Sequence, residues 1–270
     1  MRTKAATLIL FLVGVSLAAQ QQAPAPVAGQ GQTPPALTAT GPEMAAALQA
    51  LVRNDLRLKD WPQLARYREA NRLLAPPAAT ESRVVFMGDS ITDAWPQPRF
   101  GDYFTTNTSY VGRGISGQTT PQMLIRFKPD VIDLKPKVVV ILAGTNDIAG
   151  NTGPMTDEEI ANNIMMMAEL AKVHGIKVVL SSILPVSSYH ATTGLPQTTQ
   201  RPMARINAVN DWMMKYAAAE RHVYLDYYSK MIDDKGLFRA ELSGDDLHPN
   251  AQGYAIMAPL ADAAIKQALK

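Results

Sequence analysis

Three side chains in this sequence have the types needed for covalent acyl chemistry: Ser90, Asp245 and His248. A serine hydroxyl is a weak nucleophile until an adjacent base takes its proton. Histidine is the side chain suited to that task near neutral pH. A carboxylate must then orient the imidazole and stabilise its cation. Asp245 lies three residues before His248, so one tight turn can project both, and Pro249 fixes the backbone directly after the histidine. Asp246 is the competing carboxylate, one position out of phase with the ring. A tetrahedral intermediate also needs donors for its oxyanion, which backbone N–H groups and asparagine amides supply. The candidates are the N–H of Ser90, the N–H of Gly117 and the side chain of Asn146. Glycine at 117 lets the backbone approach a ligand with no Cβ in the way.

These residues need a scaffold that gathers them. From Arg83 onward, short Val- and Ile-rich runs alternate with helical stretches. The runs are Val84–Met87, Ser109–Val111, Val138–Leu142, Ile176–Ser182 and Val223–Asp226. The helical stretches fall near Thr120–Ile132, Thr156–His174, Arg201–Glu220 and Asn250–Leu269. Buried strands alternating with helices predict an α/β fold, a parallel sheet covered on both faces. Open parallel sheets bind ligands at the carboxyl ends of their strands. The segments after the runs are Gly88-Asp89-Ser90, Gly112 to Thr119, Gly144-Thr145-Asn146-Asp147 and, further on, Asp245 to Asn250. All four are expected at one sheet edge. Thr156 and Glu159 have capping-box spacing, and His174-Gly175 suits a helix end.

Gly88-Asp89-Ser90, Gly117, Gly144-Thr145-Asn146-Asp147 and Asp245-Asp246-Leu247-His248-Pro249 resemble, in order, the four blocks of the SGNH hydrolases, also called GDSL esterases and lipases. The resemblance implies a three-layer α/β/α flavodoxin-like sandwich and hydrolysis of acyl esters without metal or cofactor. It implies Ser90 as nucleophile, Ser90, Gly117 and Asn146 as oxyanion donors, and His248 with Asp245 as base. Gly112 to Gly117 and Ile183-Leu184-Pro185 resemble more specifically the subgroup of platelet-activating-factor acetylhydrolase catalytic subunits and bacterial carbohydrate acetylesterases. Gln118 departs from the aspartate of many relatives, and Ile91 from the leucine of the name motif.

Other residues have plainer readings. Asp89 is expected to hold its loop, and Asp147 to serve a turn. Arg113 either pairs with an acid beneath the loop or faces substrate. His174 and His222 flank elements and read as structural. His190 reads as a surface histidine in the polar Ser187–Pro202 loop, which is long enough to cover a pocket. Trp95 and Phe100 line the cleft or fill the core. Met165-Met166-Met167 cannot all face one way on a helix, and core packing is their expected use.

Composition narrows the function classes. Residues 1–19 have a basic start, an apolar middle and small residues at the end, the pattern of a secretory signal peptide. Its apolar run is short for a membrane span, so cleavage leaving no stable anchor is expected. Residues 20–41 read as a Gln-, Pro- and Ala-rich flexible linker. The enzyme domain is expected over 42–270, opening with a helical extension over 42–75. In that extension Leu48, Leu51, Val52, Leu56 and Leu58 share a face, and Trp61-Pro62 breaks the helix.

The formal charge of +2 includes Arg2 and Lys4 of the leader, and without them 24 basic residues balance 24 acidic ones. No basic patch argues for nucleic acid. The chain has no cysteine, which excludes disulfides, thiolate catalysis, Cys-ligated metal and a lipid on an N-terminal cysteine. The expected protein is a secreted or periplasmic hydrolase of small-molecule or carbohydrate acyl esters. The alternative is a non-catalytic carbohydrate-binding or cell-surface module on the same fold. A nucleotide-binding flavodoxin-like protein lacks a phosphate loop here, and the absent Gly-x-Ser-x-Gly elbow argues against the α/β-hydrolase fold.

Overall fold

Five short strands form the centre of the molecule: β1 (Val84–Gly88), β2 (Tyr110–Gly114), β3 (Val138–Leu142), β4 (Lys177–Ser181) and β5 (Val223–Leu225). The computed structural model describes residues 40–270, so the expected leader over 1–19 and nearly all of the expected linker over 20–41 lie outside the described residues. All strand pairings are parallel, in the order β2-β1-β3-β4-β5. Strand order therefore reverses at β1, where Gly88 lies opposite Gly114 on one side and Leu142 on the other.

Alternation of side chains along each strand builds two cores. Val85 and Met87 of β1, with Val139 and Ile141 of β3, pack against helices Thr120–Asp130, Asp157–Val173 and Met203–Glu220. Val84, Phe86, Val138 and Val140 face the other way, against Trp95 and the Tyr254, Met257 and Ala261 side of helix Ala251–Ala268. The result is the expected three-layer α/β/α sandwich on a five-stranded parallel sheet. Hydrocarbon on both faces explains why the strands read as unbroken apolar runs.

Local signals act where the sequence places them. Thr156 accepts from the Glu159 N–H, and Glu159 accepts from the Thr156 N–H, which closes a capping box. His174 ends that helix, followed by Gly175 with φ of 70°. Met167 is buried and Met166 exposed, so the methionine run divides between core and surface.

One expectation needs correction. The second apolar run does not end at Val111, because β2 continues through Gly114. A Cβ on Gly114 would sit 2.1 Å from the Asp93 N, so only glycine lets Ser90–Ala94 pack against this strand. The helical extension ends its first helix just before Trp61-Pro62, where the sequence places the break. Helix Gly41–Lys59 leaves Leu48, Leu51, Val52 and Leu58 exposed, and a six-residue helix follows at Arg68–Leu73. No helix of the described residues is long and apolar enough to cross a membrane.

Candidate active site

Ser90 opens the short helix that follows β1, and Asp89 caps that helix by accepting from the Ile91 N–H at 3.0 Å. The reversal of strand order puts this point between the ends of β2 and β3. Helix Ala251–Ala268 begins after Asn250, whose side chain accepts from the Gln252 and Gly253 N–H groups. That cap sets the turn before it, and the turn brings His248 back over Ser90. Ser90 Oγ and His248 Nε2 are 2.9 Å apart, and His248 Nδ1 is 2.6 Å from Asp245 Oδ2. The carboxylate claims the proton on Nδ1. Nε2 therefore carries the lone pair, and the Ser90 hydroxyl donates to it.

Asp245 is itself held at several points. Its Oδ1 accepts from the His248 N–H at 2.8 Å, the Leu247 N–H at 3.1 Å and the Ser243 hydroxyl at 3.2 Å. Desolvation pushes its pKa up, but hydrogen bonds from the His248 ring and backbone outweigh this and hold the carboxyl well below its ordinary range. Asp89 behaves oppositely. Complete burial raises it to about 6, offset in part by the Ile91 N–H and the nearby His248, and its Oδ2 has no partner among the described residues.

The three oxyanion candidates come from three strand ends. Gly117 occupies a turn closed by the Gln118 N–H donating to the Ile115 carbonyl at 3.2 Å. Its φ of 79° is what demands glycine there, since a Cβ would meet only an Asn151 atom at 3.9 Å. Asn151 Nδ2 donates to the Gly117 carbonyl at 3.0 Å and so fixes the orientation of that peptide. Asn146 is buried. One hydrogen of its Nδ2 goes to the Gln118 carbonyl at 3.0 Å, and its Oδ1 lies 3.4 Å from Arg201 Nη2. The second Nδ2 hydrogen is not used by that bond.

Sequence reasoning passed over Arg201 as a helix start. It is 5% exposed, reaches Thr145 Oγ1 at 3.0 Å and orients the Asn146 amide. Burial lowers its pKa, while Asp89 and Asp245 act to raise it. Its only sequence signal was an arginine beside Pro202 at a helix boundary.

Several side chains lie elsewhere than expected. Arg113 does neither thing the sequence offered: its Nε donates to Asn71 Oδ1 at 2.8 Å, and its guanidinium lies 4.7 Å from the Tyr67 ring centroid. Asp147 is more than a turn residue, since its Oδ1 accepts from the Thr120 N–H and hydroxyl and ties β3 to helix Thr120–Asp130. His190 is a surface histidine, as expected, and it also pairs with Asp246 at 3.0 Å. The loop from Ser187 to Pro202 does not line the cavity at Ser90, and its Arg201 reaches Thr145 and Asn146. Trp95 and Phe100 divide: Trp95 is buried and stacks on Tyr103 and Tyr254, whereas Phe100 lines the cavity. That cavity is about 430 Å³ and also includes Ala94, Arg99, His248 and Tyr254.

A parallel sheet with a serine–histidine–aspartate row at its carboxyl edge has the groups that acyl transfer needs, and a glycine turn and a buried amide follow the two neighbouring strands. Residues 86–256 match the model of the GDSL-like lipase/acylhydrolase family. The chain belongs to this family of ester hydrolases.

It is 41% identical to a GDSL-like lipase of Bacteroides thetaiotaomicron, with a TM-score of 0.70 over 77% of this chain and 98% of that one. It is 25% identical to the human platelet-activating factor acetylhydrolase IB subunit alpha2, over 68% of this chain and 76% of that protein. It is also 25% identical to an acetylxylan esterase of Geobacillus stearothermophilus, over 65% of this chain and 90% of that enzyme. A match to the uncharacterized lipoprotein YqeF of Bacillus subtilis is 36% identical but spans only 30% of this chain and 34% of that protein.

Proposed function

We propose that the protein is a serine esterase that cleaves short acyl esters through an acyl-enzyme, with esters of carbohydrates among its substrates. The observation that carries this reading is the unbroken row from Ser90 Oγ through the His248 ring to Asp245, with links of 2.9 and 2.6 Å. Ser90 Oγ attacks the acyl carbon while its proton passes to His248 Nε2. Asp245 stabilises the imidazolium that forms. The N–H groups of Ser90 and Gly117 and the Asn146 amide receive the developing oxyanion. The C–O bond to the alcohol then breaks, and the leaving oxygen takes the proton from Nε2. Water repeats the sequence on the acyl-enzyme and releases the acid.

The cavity supports a short acyl length. Phe100 and Ala94 there sit among Gln97, Arg99 and Asn250, which suits a short acyl group beside a polar alcohol. A long alkyl chain would desolvate those polar groups without pairing them. The similarity to an acetylxylan esterase supports a sugar as the alcohol. The reading includes a cleaved leader over 1–19, a linker over 20–41 and the catalytic domain over 42–270, supported by the signal-like sequence at the N-terminus.

The test is a series of aryl esters from acetyl to dodecanoyl, run beside acetylated sugars, with Ser90→Ala as control. Turnover is expected to peak at the short acyl groups. Ser90→Ala should fold normally and lose at least ~10³-fold in kcat. Undiminished turnover in Ser90→Ala would overturn the mechanism. A wild type that turns over no ester would leave the carbohydrate-binding module as the better reading.

A further inference from the structure

The catalytic cavity does not end at the nucleophile. A second cavity of about 320 Å³ opens on the other side of the Ser116–Gly117 turn, and Ser116 lines both. Its lining differs in kind from the first. Trp61, Gln63, Gln122, Asn151 and Thr152 surround it, with no charged side chain among them. One wall comes from the loop after β3. There Asn151 holds the Gly117 carbonyl, and the Thr152 hydroxyl lies 3.0 Å from that of Thr119.

The opposite wall comes from the segment ahead of β1, outside the sheet altogether. Two buried glutamines fasten it. Gln122 Nε2 donates to the Trp61 carbonyl at 2.7 Å, and Gln118 Nε2 donates to the Pro62 carbonyl at 2.8 Å. Gln118 is the position where many relatives of the resembled family carry aspartate. An aspartate could still accept from Arg126, as Gln118 does at 2.5 Å, but it has no hydrogen to give Pro62. The segment is further held by Asp60, whose carboxylate accepts from the Leu64 and Ala65 N–H groups, and by the Tyr67 hydroxyl, which donates to the Gly114 carbonyl. Gln63 adopts a left-handed φ of 57° within this turn.

From this construction we infer that the second cavity is a binding subsite for a neutral sugar residue next to the one that carries the ester. The inference rests on the esterase reading of Ser90. A neutral lining gives a phosphate or carboxylate nothing to pair with. An acyl chain there would leave the Gln63 amide and the Asn151 amide oxygen unpaired and dry. A polyhydroxylated ring satisfies both demands: its hydroxyls exchange hydrogen bonds with the amides and with Ser116 and Thr152, and its C–H face lies against the indole of Trp61, which is 39% exposed. Position agrees with this. The leaving alcohol must lie beside His248 Nε2 to receive its proton, so the ester-bearing sugar sits at the Ser90 cavity. The neighbouring unit then reaches across Ser116 into the second cavity. The substrate class is an acylated neutral oligosaccharide of two or more units.

The experiment compares p-nitrophenyl acetate, which is too small to span both cavities, with acetylated xylotetraose. Trp61→Ala and Gln63→Ala are each expected to raise KM for the acetylated tetrasaccharide about tenfold, with kcat/KM for p-nitrophenyl acetate changed less than twofold. Trp61→Phe, which keeps an aromatic face, should recover most of the loss. In the Ser90→Ala background, calorimetry should show the tetrasaccharide binding about tenfold more weakly once Trp61→Ala is added. Equal KM values on the tetrasaccharide in wild type and both alanine variants, with p-nitrophenyl acetate hydrolysed normally, would overturn the subsite. Failure of wild type on p-nitrophenyl acetate itself would instead count against the esterase reading.

Discussion

The chain holds two histidine–aspartate pairs made from adjacent carboxylates, and they do different work. Asp245 faces His248, with Oδ2 at 2.6 Å from Nδ1. Asp246 faces His190, with Oδ1 at 3.0 Å from Nδ1. Both imidazoles are 38% exposed. The carboxylates differ: the Asp245 side chain is 55% exposed and that of Asp246 is 2% exposed. Asp246 also takes the Ser187 hydroxyl and the Tyr189 and His190 N–H groups, so it is the anchor of the 187–190 segment. Its φ of 66° turns the chain so that neighbouring carboxylates point to different partners.

A paired histidine is therefore no mark of catalysis in itself. What separates the two pairs is the far nitrogen. His248 Nε2 meets Ser90 Oγ, whereas His190 Nε2 meets no side-chain partner among the described residues.

The contrast can be broken most forcefully at the histidines. His248→Ala is expected to lower kcat by at least ~10³-fold with the fold retained. His190→Ala should leave kcat within about threefold. A comparable loss in both, measured on a short aryl ester, would erase the distinction.

The carboxylates give the next largest separation. Asp245→Asn should cost ~10²–10⁴ in kcat, because the amide no longer fixes the imidazole tautomer. Asp246→Asn keeps a residue that tolerates positive φ, and should leave kcat near wild type. It should cost ~1–3 kcal/mol of stability in denaturant unfolding, through the weakened buried network. Unchanged stability, or a kcat loss matching that of Asp245→Asn, would contradict the anchoring role.

A third carboxylate sharpens the comparison with the smallest effect. Hydrogen bonds outweigh desolvation and hold both Asp245 and Asp246 below their ordinary range, so the stability they lend is full above the unfolded-state pKa and is lost as pH falls. Asp89 has the reverse sign. Burial raises it to about 6, so the folded state holds its proton longer than the unfolded chain, and stability declines as pH rises from about 4 to above 6. Asp89→Asn removes that charge, and its amide oxygen can still accept from the Ile91 N–H. The variant should gain on the order of 2 kcal/mol over wild type at pH 8 relative to pH 4. A gain that does not grow with pH would show that Asp89 is not the source.

Much of this site could be read along the chain, because its members follow strands that were themselves legible. Val84–Met87 and Val138–Leu142 are apolar on consecutive positions, too short for helices and rich in valine, as strands buried on both faces are. Ser90 and Asn146 come directly after them. Asp245 and His248 are three residues apart, so local geometry nearly suffices to pair them. The residues that were missed or left open act over long separations. Arg201 reaches Asn146 from 55 residues away, and Arg113 finds Asn71 at a separation of 42. Spacing favours Asp245 over Asp246 as the partner of His248, and the positive φ of Asp246 turns that carboxylate to His190 instead.

The sequence by itself determined the element types, the parallel sheet and the set of candidate reacting groups. Apolar periodicity, caps and strand-end polar clusters are short-range properties carried by neighbouring residues. Tertiary structure alone decided that His190 belongs to Asp246, that Arg201 braces Asn146, and that the Trp61 segment walls a second cavity beside Gly117. Each depends on which polar groups find partners once the chain is closed upon itself. A buried donor or acceptor is satisfied by whatever the fold brings within about 3 Å, not by its neighbours in sequence.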